Sequence, residues 1–274
     1  MLTLWNQRWR DRRGSYRPAG ETIQTALYEV ATIPGDAVAK AFVTGHHYSG
    51  TYPAARFRFG LYRRAELLGV AVFSHPTNDA VLTSVFPCEA IEAVELGRLV
   101  LLDEVPGNGE TWFIARCFEH LRGKGLRGVL SFSDPAPRTA ASGEVVFPGH
   151  IGTIYQAHNA VYLGRREDLR TVYLLPDGSV FSDRAAQKIR SLDRGCEYAA
   201  AQLERAGADP FDRSNPRAWL SRAMVRVTRT VRRQGNHKYA WALDKAMARR
   251  IPKGLPYPKF ENALVPPSEM ARTA

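Results

Sequence analysis

The run Glu95–Leu121, followed by Val129-Leu-Ser-Phe-Ser-Asp134, constrains the fold more than any other part of the chain. An apolar, extended stretch leads into Pro106-Gly107-Asn108-Gly109, and a helical pattern begins at once. A second short apolar run then reads as another strand. Strand, glycine turn, helix and strand in this order bring the backbone N–H groups of Gly107, Asn108, Gly109, Glu110 and Thr111 to a helix N-terminus. Such a terminus can receive an anion, for example a pyrophosphate or a carboxylate. A lone Gly-x-Gly fits an ordinary strand-to-helix connection equally well.

The chain has 274 residues, enough for one large domain or a domain with an appendage, and its 45% hydrophobic content is that of a folded protein. A formal charge of +11, carried mostly by arginine, favours a polyanionic partner. Nucleic acid is the first such partner and an anionic membrane surface the second. Cys88, Cys117 and Cys196 are odd in number and far apart, which argues against a disulfide framework or a zinc knuckle. The first residues lack an apolar signal core, and nowhere do about 18 apolar residues run together. The expectation is a soluble, cytoplasmic protein that does not engage membranes.

Along the chain, residues 1–20 read as a basic N-terminal arm and 21–33 as strand-like. A helix is expected over 34–44, and then the polar loop His46-His47-Tyr48-Ser49-Gly50. Arg56–Tyr62 alternates and Leu67–Phe73 is apolar, so the two make an antiparallel hairpin. A loop over 135–150, a short helix opening at Ile154-Tyr155-Gln156 and strands at 160–164 and 170–175 follow. Residues 183–234 read as a helical insertion in a single domain spanning 21–260, with 261–274 as a tail. Within that insertion Arg222, Arg226, Arg229 and Arg233 recur at helical spacing, opposite Trp219, Leu220, Ala223, Val227 and Val231. A solvated face is the plain reading of such a stripe. With no acid between Arg217 and Arg233, the stripe fits better as a surface for DNA phosphates.

This order of elements resembles the GNAT acyltransferase fold: a mixed α/β, mostly antiparallel sheet flanked by helices. The resemblance implies that the glycine turn grips the pyrophosphate of an acyl-CoA such as acetyl-CoA. It also implies that Tyr155, in the short helix, protonates a leaving thiolate. A narrower resemblance rests on His47-Tyr48-Ser49, Ser131-Phe-Ser-Asp134-Pro135 and Gly149-His150-x-Gly152-x-Ile154-Tyr155-Gln156. Gly235-x-His237-x-Tyr239 and Tyr257-Pro-Lys259 complete the set. In this order the pieces are similar to the phage Mom DNA-modification family over about residues 25–260. The resemblance implies an enzyme that adds a carbamoylmethyl group to the exocyclic amine of adenine in double-stranded DNA, shielding it from restriction. One departure is Glu104, at the position where the GNAT pyrophosphate motif carries Arg or Gln. A carboxylate beside a pyrophosphate costs about 1 kcal/mol or more. Another activated acyl donor, or a differently seated CoA, is then expected.

The expected site comprises Asp134, Tyr155, His47, Tyr48, Ser131 and His150. Adenine's exocyclic amine is a poor nucleophile that needs positioning and proton removal. Asp134, at a strand end before Pro135, can take that proton; its alternative is a turn cap. Tyr48 can stack on an extracted base, and His150 lies in a glycine-flanked loop. His47, Asp134 and His150 would suit non-haem iron if they converged, although the sequence shows no close ligand spacing. A conventional GNAT enzyme acting on a small-molecule or protein amine is the second reading, and a non-catalytic DNA-binding protein the third. The oligomeric state stays open, a dimer included.

Overall fold

The computed structural model describes residues 5–18 and 20–259; the expected tail over 261–274 lies outside them. The chain begins with strands β1 (Trp5–Arg10), β2 (Arg13–Pro18) and β3 (Glu29–Thr32), then helix α1 (Ala37–His46). Strands β4 (Ala55–Arg63) and β5 (Glu66–Ser74), helix α2 (Ala80–Thr83), strand β6 (Ala93–Leu101), helix α3 (Gly109–Gly123) and strand β7 (Gly128–Ser133) follow. Next are β8 (Arg138–Thr139), β9 (Val145–Phe147), α4 (Thr153–Ala157), β10 (Val161–Arg165), β11 (Arg170–Leu174) and β12 (Val180–Phe181). Helices α5 (Asp183–Ser191), α6 (Cys196–Arg205) and α7 (Pro216–Val227) lead to β13 (Arg229–Arg233), β14 (His237–Ala242) and α8 (Lys245–Ala248).

Two compact units result. The first comprises Met1–Pro135, His150–Arg165 and Asn236–Ala274; the second comprises Ala136–Gly149 and Arg166–Gly235. The first holds a seven-stranded sheet in the order β10-β14-β7-β6-β5-β4-β3. Every neighbouring pair is antiparallel except β6 and β7. This is the mixed, mostly antiparallel sheet flanked by helices that the sequence predicts. Its core joins Phe59, Leu61, Phe73, Leu96 and Val129 of the strands to Phe113, Ile114, Cys117 and Leu121 of α3. Those four α3 residues recur at helical spacing, which is why α3 lies along the sheet.

Residues 5–18 are not an arm. They form the antiparallel β1–β2 hairpin, turned at Asp11 and Arg12 with φ of 48° and 65°. Two successive positive-φ residues give the tight turn whose twist suits a hairpin, and Arg64 and Ala65 repeat it between β4 and β5. The hairpin is held by Arg8, only 2% exposed, which is ion-paired with Glu110 of α3, 3% exposed. The same guanidinium donates to the carbonyls of Leu102 (3.0 Å), Val105 and Pro106 (2.7 Å). Every face of this buried cation therefore meets an oxygen.

The second unit has its own core of Phe181, Ile189, Leu203, Trp219, Leu220 and Val227. Its sheet runs β12-β11-β13, with β8–β9 as a separate short hairpin. The expected helical insertion is thus part of a larger unit that also carries strands. Helix α7 stops at Val227, so the four-arginine helical stripe is broken. Arg222 and Arg226 lie on α7, whereas Arg229 and Arg233 belong to β13, paired with β11. The β-branched run Val227-Thr228, ahead of Thr230-Val231, favours the strand over continued helix. Arg226 is ion-paired with Asp209 at 2.6 Å, and Arg229 donates to Thr139.

Removing one partner of a buried ion pair strands the other charge, a loss of about 3–5 kcal/mol. Arg8→Met should lower unfolding stability by about that amount, measured by urea denaturation. Adding Glu110→Gln should recover part of the loss, because no buried charge is then left unpaired; equal instability in the double variant would contradict this account of the hairpin.

Candidate active site

The site grows from the one parallel pair in the sheet. β6 and β7 pair only over Ala93↔Gly128, Val94↔Val129 and Glu95↔Leu130. Beyond Glu95 they part, β6 staying with β5 and β7 with β14. Ser131 Oγ donates to the Leu96 carbonyl at 2.9 Å across the start of the gap. Opposite β5, the register jumps from Phe73↔Leu96 to Val72↔Arg98, so Gly97 is the extra residue of a bulge. A bulge re-aims the residue after it, and Arg98 lines the cleft beside the gap.

The cleft is walled by β1 (Asn6, Gln7, Arg8, Trp9), the loop after α1 (His47, Tyr48), β6 from Gly97 to Leu101, Glu110 of α3, Phe132, His150 and the start of α4 through Tyr155, so Glu110 is the one residue expected at the glycine turn that reaches the cleft. Aromatic rings concentrate at one side. Trp9 and Tyr48 centroids are 4.5 Å apart, His47 and Tyr48 4.2 Å, and Trp9 and His150 5.9 Å. His47 is oriented by Ser49, whose Oγ lies 2.9 Å from Nδ1.

Arg98 is fastened on one side. Its Nε donates to Thr51 O (3.1 Å), Nη1 to Gly97 O (2.5 Å) and Nη2 to Thr51 Oγ1 (2.7 Å). Burial pulls its pKa down, while Tyr48, Glu95 and Tyr155 act electrostatically in the opposite sense. Burial also pushes the Glu95 carboxyl up, and the neighbouring Arg98 opposes that rise. Tyr155 packs edge-on against Tyr239 and Trp241, at 5.5 and 5.4 Å. Burial raises its phenol pKa, and the Ser131 hydroxyl and Arg98 oppose the rise. The phenol is therefore a neutral donor at ordinary pH. Gly152 opens α4 with φ of 74°, and a Cβ there would stand 2.8 Å from Tyr239 and 2.9 Å from Tyr155. Only glycine gives that turn and that closeness.

His47, Tyr48, His150 and Tyr155 thus meet in one cleft. Ser131 touches it through Tyr155. Asp134 is not on the cleft wall. It is buried at the end of β7, where its carbonyl accepts the His150 N–H at 2.8 Å. Its charge acts on His237, which stands opposite Ser133 in the β7–β14 register. His237 Nδ1 lies 2.8 Å from Tyr162 Oη. Burial pulls the His237 pKa down to about 4, with Arg165 adding to the shift and Asp134 opposing it. Glu95, Arg98 and His237 carry no role in the sequence alone. The charges of Glu95 and Arg98 inside an apolar strand were the available sign.

The glycine turn differs from its expectation. Gly107 N–H donates to Glu21 Oε2 at 2.7 Å, and Asn6 donates to the Gly107 carbonyl. Asn108 Oδ1 accepts the Ile23 N–H at 2.8 Å, and a side chain at Gly107 would run into the Pro18 carbonyl. Gly109 N–H is bonded to the Pro106 carbonyl, the Glu110 carboxylate is paired with Arg8, and Thr111 Oγ1 donates to Asn108 O. The turn is a filled junction rather than an open cradle. The residues also do not fit iron. Among the described residues no group of three or more His, Cys, Asp and Glu side chains could hold a metal ion, so His47, Asp134 and His150 do not converge as ligands.

The model of the Mom protein family matches residues 27–259, and the chain belongs to that family. No curated protein matches it. Among solved structures, an N-acetyltransferase from Staphylococcus aureus Mu50 is similar, with 11% identity, 79% of this chain and 99% of that chain covered, and a TM-score of 0.36.

The low His237 pKa has a consequence for stability. An unfolded histidine takes up a proton below its ordinary 6.5, whereas His237 in the fold resists it down to about 4. The stabilisation this provides is full above 6.5 and is lost as pH falls toward 4. Unfolding stability should therefore drop across that window in the native chain and drop less in His237→Gln; identical pH profiles from urea titrations would contradict the assignment.

Proposed function

We propose that the protein is a DNA-modifying transferase that adds an acyl-derived group, of the carbamoylmethyl kind, to the exocyclic amine of adenine in double-stranded DNA. Such a mark would protect the DNA from restriction. The observation that carries the reading is the cleft at the β6–β7 parting, where His47, Tyr48, His150 and Tyr155 meet inside the segment matched by the Mom family. Aromatic rings suit a base taken out of the duplex, since every base has a face that stacks. Among the described residues no helix is long and apolar enough to cross a membrane.

The chemistry follows from the groups present. With the base drawn in along the end of β7, the amine nitrogen forms a bond to the donor carbon. The donor's leaving group departs with the old bonding pair, and Tyr155, neutral because it is buried, hydrogen-bonds to it. Asp134, at the end of β7 just behind the cleft wall, takes up the proton lost by the amine once the base is drawn to that strand end. The arginines Arg222, Arg226, Arg229 and Arg233 serve as phosphate contacts that carry no sequence information.

Mass spectrometry of nucleosides from plasmid DNA co-expressed with the protein should reveal a new, heavier adenosine. Asp134→Asn and Tyr155→Phe should each reduce its rate of appearance by roughly ten- to ten-thousand-fold, with DNA affinity little changed. Unmodified adenosine with the native protein would refute the reading. In a separate measurement, Arg222→Gln with Arg226→Gln should weaken binding to all duplexes alike. The slope of log affinity against log salt should flatten by roughly two; an unchanged slope would make these arginines a solvated face.

A further inference from the structure

The N-terminal hairpin and Glu21 lie outside the segment 27–259 that the family accounts for, yet they decide what the donor can be. A nucleotide-diphosphate donor gripped at a strand–turn–helix junction needs open N–H groups and an uncompensated positive end. Here Glu21 already places a carboxylate oxygen 2.7 Å from the Gly107 nitrogen, where a phosphate oxygen would go. The Glu110 carboxylate lies one turn inside, and Glu104 is exposed on the same loop. Both cations at the turn are engaged: Arg8 with Glu110 and three carbonyls, and Arg17 with the two carboxylate oxygens of Glu21. An incoming diphosphate would have to expel Glu21 from both the Gly107 N–H and Arg17, lift the Asn6 and Pro18 contacts and face the exposed Glu104. Coulomb repulsion at such distances opposes it.

The rest of the cleft has the opposite character. Arg98 uses three N–H groups on Thr51 and Gly97. A guanidinium has five, so these three bonds leave it further donor capacity on a cleft wall that it shares with Tyr155 and Tyr48. A half-buried guanidinium beside neutral phenols attracts an oxygen bearing negative charge.

We propose that the protein uses a small donor without a nucleotide-diphosphate handle, held wholly between the hairpin, β6 and α4, with a carbonyl or carboxylate oxygen against Arg98. The inference rests on the transferase reading for the word donor, but the absence of a CoA site at the glycine turn is independent of it. Arg98 is here a binding residue for the donor.

The test has two arms on the full-length protein. In the first, coenzyme A and acetyl-CoA are titrated at millimolar concentration into the native chain and Glu21→Gln, with heat of binding and Tm as readouts. Neither chain should show saturable heat or a rise in Tm. Saturable CoA binding by the native chain, strengthened when the Glu21 charge is removed, would overturn the proposal. In the second arm, modified adenosine is quantified from co-expressed plasmid. Arg98→Gln should reduce it roughly tenfold or more, as loss of a charged hydrogen bond does, while Glu21→Gln should stay within roughly threefold of native. Full activity in Arg98→Gln would overturn the donor pose. If the native chain leaves adenosine unmodified, the functional reading fails, and the first arm still decides whether the turn holds CoA.

Discussion

The buried pair between Arg8 and Glu110 is the interaction on which the site depends. It fixes the β1–β2 hairpin to the N-terminal turn of α3, and in doing so sets two things at once. It ties the loop between β6 and α3 to the hairpin through the Val105 and Pro106 carbonyls, and it carries Trp9 to the aromatic group of His47, Tyr48 and His150. A lone buried charge on either side would be destabilising by several kcal/mol, so hairpin and helix are obliged to stay together. One wall of the cleft therefore follows from a single ion pair, and Glu21 and Asn6 complete the junction at the glycine turn.

The second constraint is the parting of β6 from β7. In a sheet otherwise fully paired, two parallel strands separate after Glu95 and Leu130, and backbone and side chains between them face a cleft instead of a neighbour. The bulge at Gly97 turns Arg98 into that opening, and the left-handed Gly152 lets α4 bring Tyr155 up from the other side. A cation and a neutral phenol thus converge on a space bordered by rings. Behind it lies the network of Asp134, His237 and Tyr162, in which burial keeps the imidazole uncharged.

Much of this was legible in the chain. The alternating Arg56–Tyr62 and apolar Leu67–Phe73 runs form β4 and β5, and the strand–turn–helix–strand unit over 95–134 is where it was expected. Four of the expected site residues line one cleft because short motifs far apart in sequence end on adjacent elements. What was not legible came from long-range contacts. The first hairpin turns at Asp11-Arg12, which lacks the glycine or asparagine that marks such turns, and its short strands carry four arginines that read as solvated. Only the distant Glu110 makes Arg8 a core residue. The arginine stripe kept helical spacing past Val227, but β11 offered the segment a strand partner, and pairing overrode periodicity. The glycine turn looked open because nothing local reveals that Glu21, more than eighty positions earlier, caps it.

The central claim is that substrate chemistry belongs to the cleft between hairpin, β6 and α4, and not to the glycine turn. The most direct measurement is NMR of labelled full-length protein, following the Trp9 indole N–H, the Gly152 and Tyr155 amides and the Gly107 amide. Adding an adenine-containing duplex should shift the first three and leave Gly107 in place, and adding acetyl-CoA should leave Gly107 unmoved as well. Movement of Gly107 with acetyl-CoA, together with a silent Trp9 indole in the presence of DNA, would contradict the account.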